Sequence, residues 1–68
     1  MNGKKRNMDN IISDVLKYIG DCGGEALESD IKNHLIDEVN LDLKLVKATM
    51  VRKKKIDVES KTGYWIKL

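Results

Sequence analysis

Six basic residues and no acid fall between Leu43 and Lys55: Lys44, Lys47, Arg52, Lys53, Lys54 and Lys55. Cations clustered in this way can neutralise a polyanion, with lysine holding phosphate and arginine making forked contacts. Lys4, Lys5 and Arg6 add a second basic group near the start. The acids lie elsewhere. Residues 25 to 42 hold Glu25, Glu28, Asp30, Asp37, Glu38 and Asp42 against one base, Lys32. Net charge is only +2. It is therefore the asymmetry that marks where a polyanion would be drawn.

Other chemistries find little to work with. Cys22 and His34 are the only residues of their types. They assemble no nucleophile, base and orienting group, so no enzyme is expected. A lone His and a remote Cys make a poor metal site. GDCGGE, residues 20–25, lacks the spacing and Lys of a phosphate-binding loop. No cofactor and no small-molecule ligand are expected. One cysteine cannot form an internal disulfide, which fits a reduced, cytoplasmic setting. The apolar runs fall far short of the ~20 residues of a membrane span. Met1 leads into a basic stretch with no apolar segment of a signal peptide.

The elements that must position these cations follow from apolar spacing. The 68 residues make one domain, and a chain this short buries only ~60% of its unfolded surface. With no Phe and no Pro, the core must be aliphatic, and Tyr18, Tyr64 and Trp65 are the only large rings. MNGKKRN, residues 1–7, reads as a disordered basic arm. Met8, Ile11, Ile12, Val15, Leu16 and Ile19 form one helical stripe, predicting a helix over 8–19. Asn7 is placed to cap it and Gly20 to stop it in the left-handed conformation. Glu25-Ala26-Leu27 reads either as a minimal strand or as part of the next helix. A second helix is predicted over 29–39, capped by Ser29, with Ile31, Leu35 and Val39 inward and Ile36 widening the stripe. Asn40 follows in a left-handed turn.

Asp42 caps a third predicted helix, 43–54, with Leu43, Val46 and Met50 as its core stripe. Leu45, Ala48 and Val51 lie off that stripe. Residues 56–68 read as a hairpin: Ile56 and Val58 alternate with Asp57 and Glu59, and Ser60-Lys61-Thr62-Gly63 forms the turn. Tyr64, Ile66 and Leu68 then point one way, and Trp65 and Lys67 the other.

Two passages resemble the winged helix-turn-helix family. VNLDLKLV, residues 39–46, is similar to the turn between its two DNA-binding helices. MVRKKKIDVESKTGYWIKL, residues 50–68, is similar to its passage from recognition helix through a Lys-rich corner into the wing. The resemblance covers residues 8–68 and implies an α+β fold, mostly α: a three-helix bundle with a C-terminal β-hairpin wing. Three positions depart from the pattern. Ile36 stands where a small residue is usual. Lys54 or Lys55 occupies a corner that is often Gly. Lys53 falls on an apolar position in one register, which a three-residue shift repairs.

The resemblance further implies sequence-specific binding of double-stranded DNA, as a small transcriptional regulator with the third helix in the major groove. With Leu43, Val46 and Met50 inward, about 100° per residue places Lys44, Ala48, Val51 and Arg52 outward and Lys47 on the flank. Arg52 would fork onto guanine, Lys44 and Lys47 would hold phosphate, and Ala48 and Val51 would meet a thymine methyl. Lys55 at the corner and Lys61 and Thr62 at the wing tip complete the candidate contacts. Reversing Lys47 to Glu is expected to abolish binding with the unfolding midpoint nearly unchanged. Leu45, Val51 and Trp65 are candidates for a homodimer surface, with either Leu45 or Val51 packing under the wing. The alternative reading is a winged-helix protein-interaction adaptor without DNA binding, for which Leu45, Ala48 and Val51 outside the core would serve.

Overall fold

The apolar stripe of the first helix does what its spacing requires. In the computed structural model, which describes residues 7–36, 38 and 41–68, helix α1 runs Met8–Asp21 and buries Ile11, Ile12, Val15 and Ile19. Asn7 caps it, its Oδ1 accepting from the Asn10 N–H at 2.8 Å. The expected stop at Gly20 moves. Gly20 is helical, and the left-handed residue is Gly23, at φ 93°. The Gly24 N–H donates back to Ile19 O at 2.9 Å, closing the helix with glycine past its cap. The arm over residues 1–6 lies outside the described residues.

Strand β1 (Glu25–Leu27) resolves the ambiguity of that segment. With β2 (Ile56–Glu59) and β3 (Tyr64–Lys67) it makes a three-stranded antiparallel sheet of order β1-β3-β2. Ala26 pairs with Trp65, and Trp65 in turn with Val58. This row faces the helices. Trp65 is 0% exposed and heads the fully buried side chains by volume. The opposite face carries the rows Glu25–Ile66–Asp57 and Leu27–Tyr64–Glu59. Gly63 turns the β2–β3 hairpin at φ 85°, as its position predicts.

Helix α2 (Glu28–His34) is shorter than the expected 29–39. It begins one residue before Ser29, with Leu27 at the cap position and no side-chain cap. The reason is tertiary: the Glu28 N–H, the first of the helix, donates to Gly63 O at 2.8 Å, so the hairpin satisfies a donor at this start without a side-chain cap. Ile31 and Leu35 are buried, but Ile36 is 75% exposed, beyond the helix end, and does not widen the stripe. The expected positions of Asp37, Val39 and Asn40 lie outside the described residues.

Helix α3 (Leu43–Arg52) starts where Asp42 predicts, its Oδ1 accepting from the Lys44 and Leu45 N–H groups at 3.0 and 3.3 Å. It buries Val46, Thr49 and Met50 and ends at Arg52, two residues short of expectation. Among the described residues, the molecule is a small α+β fold with three helices and one three-stranded sheet. No helix among the described residues is long and apolar enough to cross a membrane.

Candidate nucleic-acid interface

Burial of Val46, Thr49 and Met50 fixes the orientation of α3. Lys44, Leu45, Ala48, Val51 and Arg52 are exposed on its other side. Leu45 is 52% and Val51 43% exposed. Both residues therefore face solvent, and neither packs under the hairpin as expected of one of them. The sole hydroxyl of the helix, on Thr49, donates to Leu45 O at 2.8 Å and is turned away from solvent.

The corner after α3 is built on Lys54. Its φ is 59°, the only positive φ among the described non-glycine residues. The Lys54 N–H donates to Val51 O and the Lys55 N–H to Met50 O, each at 2.9 Å. This pairing is the double closure that a helix usually makes over a glycine. A side chain in that backbone region costs on the order of 1 kcal/mol, because Cβ crowds the following carbonyl. The corner thus carries three consecutive exposed lysines, Lys53, Lys54 and Lys55, with the strained one in the middle.

The cations are not equivalent. Lys53 Nζ lies 3.4 Å from Asp9 Oδ1 on α1. Lys47 Nζ lies 3.0 Å from Glu28 Oε1 on α2. That same oxygen accepts from the buried Trp65 Nε1–H at 3.2 Å. Lys47 holds the Glu28 carboxyl below the ordinary carboxylate range; partial burial opposes this and the Trp65 N–H adds to it. Lys47 is therefore part of a staple joining α2, α3 and β3. Reversing it to Glu would set two carboxylates against each other, so a somewhat lowered unfolding midpoint is expected for that variant in place of an unchanged one. Lys44, Arg52, Lys54 and Lys55 have no acidic side-chain partner among the described residues.

Lys61 and Thr62 sit exposed at the hairpin tip. They are not gathered with the α3 set, because the four residues of β2 intervene. At about 3.3 Å per residue these span roughly 13 Å. Thr62 Oγ1 accepts from the Tyr64 N–H at 3.4 Å. The outer sheet face, with Glu25, Asp57 and Glu59, repels a polyanion, so the basic side of the molecule is α3 and its corner, with Asp42 at the helix N-terminus and Asp9 beside Lys53 as its nearby acids. Trp65, which the sequence left open between core and contact surface with core the favoured reading, belongs to the core.

Glu28 was not legible as a partner of this face. Its contacts lie 19 and 37 residues away, and no local pattern encodes them. The same holds for the small cluster on the α1–α2 side. There His34 Nε2 lies 3.3 Å from Asp14 Oδ1, and the His34 ring stacks on Tyr18 at 4.4 Å between centroids. The neighbouring Cys22 side chain raises the Tyr18 pKa above its ordinary value.

No protein-family model, curated protein or solved structure matches this chain.

Proposed function

We propose that this chain is a winged-helix protein that binds double-stranded DNA. In this reading α3 enters the major groove, the β2–β3 hairpin acts as the wing, and the protein serves as a small cytoplasmic transcriptional regulator without catalysis. The observation that carries the reading is the basic face made by Lys44, Arg52, Lys54 and Lys55, whose cations have no acidic side-chain partner among the described residues. Lys54 strengthens it: a lysine stands in a backbone conformation that glycine would adopt at lower cost. Its charge at the rim of the face supplies a reason for that choice.

The test is duplex binding measured across a series of salt concentrations. Counterion release requires affinity to fall with a log–log slope of about −0.9 per phosphate neutralised. Lys44→Ala should reduce the steepness of that slope by about 1, whereas Arg52→Ala should relax discrimination at one base pair. Binding that is absent, or that ignores salt, removes the proposal.

The exposure of Leu45 and Val51 favours a second reading, an adaptor that binds another protein through α3. That reading predicts a complex that survives high salt and tolerates both Lys44→Ala and Arg52→Ala.

A further inference from the structure

The exposed side chains of α3 are Lys44, Leu45, Ala48, Val51 and Arg52. None is an amide and none is a hydroxyl, the usual groups for reading adenine and other base edges. Thr49 is 6% exposed and its hydroxyl is already bonded to Leu45 O. Lys47 is held by Glu28. With this helix in a major groove, Arg52 at its last turn is its one side chain able to fork onto a guanine. The rest of the outward surface is Leu45, Ala48 and Val51 at i, i+3 and i+6, flanked by Lys44 and Arg52.

An apolar surface in the major groove has one favourable partner, the C5-methyl group of thymine. Over a G·C pair it would displace water from the guanine O6 and cytosine N4 groups without replacing their hydrogen bonds, which is unfavourable. Charge complementarity places this surface on DNA, because Lys44, Arg52, Lys54 and Lys55 around it have no acidic side-chain partner among the described residues, and the one nearby carboxylate, Asp42, is turned onto the N-terminal N–H groups of α3. We infer that α3 selects thymine by its methyl group, with Ala48 and Val51 as the reading residues, Leu45 at the edge and Arg52 confined to one end of the site. The ligand is an A·T-bearing duplex. The inference rests on the proposed entry of α3 into the groove.

The experiment uses the full chain and short duplexes of one length at one salt concentration, with binding read by fluorescence anisotropy. An alternating A·T duplex is compared with its counterpart in which deoxyuridine replaces every thymidine. An alternating G·C duplex is compared with its 5-methylcytosine counterpart. Backbone charge is unchanged within each pair, and only the methyl differs. The expected result is affinity about four-fold weaker for each engaged methyl removed, and a gain on methylating cytosine. Val51→Ala should narrow the thymine–uracil difference while keeping the salt slope. Val51→Thr, which exchanges one methyl for a hydroxyl, should narrow it as well. Equal binding of the thymine and uracil duplexes, with a steep salt slope, overturns the inference and leaves the DNA reading standing. Salt-dependent binding to none of these duplexes overturns both.

Discussion

Glu28 Oε1 accepts from Lys47 at 3.0 Å and from the indole of Trp65 at 3.2 Å. The two contacts have different weights. The ion pair is more than a third exposed on the Glu28 side, and such pairs contribute less than about 1 kcal/mol. The indole N–H belongs to a fully buried ring, and orphaning it costs about 1–3 kcal/mol. Glu28→Ala is therefore expected to destabilise by about 1–3 kcal/mol, and Glu28→Gln, which keeps an acceptor, by less. Equilibrium urea unfolding distinguishes them, and equal losses would show that the indole bond is unimportant. The ionisation adds a pH dependence. Because the folded pKa is lowered, the contribution is present above the unfolded value of about 4.3. It is lost as pH falls through the folded value. The stability of Glu28→Gln should consequently fall less steeply than that of the parent on acidification below that value. Lys54 gives the converse case. Lys54→Gly relieves a left-handed side chain and should stabilise by about 1 kcal/mol. The same variant should weaken duplex binding by losing one cation, so unfolding midpoint and affinity should move in opposite directions.

Among the elements, α3 depends most on a single local bond, since Asp42 satisfies two of its first N–H groups. Asp42→Ala should cost about 1 kcal/mol, read as a lower urea midpoint, and an unchanged midpoint would mean the cap is redundant. Asp42 was legible because capping is chemistry between neighbours. So was α1, whose apolar residues repeat at helical period over its length, and so was the hairpin, where Gly63 follows an alternating strand. Elements whose limits are set by distant partners were less legible. β1 has three residues, too few for a period, and exists because β3 pairs with it. α2 starts at Glu28 because Gly63 accepts its N–H, a bond spanning the whole of α3 and β2. The Ile31–Leu35–Val39 repeat suggested a longer helix, yet α2 ends at His34 and leaves Ile36 in solvent. The candidate face divides in the same way. Lys44, Ala48, Val51 and Arg52 followed from helical geometry, whereas the commitment of Lys47 to Glu28 required the fold.

At the scale of the molecule, the proposed reading gives one small domain with a single cationic face limited affinity for DNA, and specific recognition by modules of this size ordinarily pairs two copies on two half-sites. The expected homodimer must therefore form somewhere that leaves α3 free. Trp65 is excluded by its burial, and Leu45 and Val51 are committed to the groove under the proposed reading. Among the described residues, the remaining large exposed apolar ones are Ile36 and Leu68. Ile36 borders an apolar depression shared with Leu35, Leu41 and Leu43, on the α2 end of the molecule. An exposed isoleucine beside an apolar hollow is self-complementary in the sense a two-fold contact requires, since each copy offers both a knob and a place to seat one. A homodimer at micromolar concentration is expected, observed by sedimentation equilibrium as twice the 7.8 kDa chain mass. Ile36→Lys should return it to the monomer with little change in stability, because the side chain it replaces is already in solvent. A dimer that persists in Ile36→Lys places the contact elsewhere. A monomer well above micromolar concentration removes the dimer and requires the duplex to be held by one α3, one hairpin and whatever second protein shares the site.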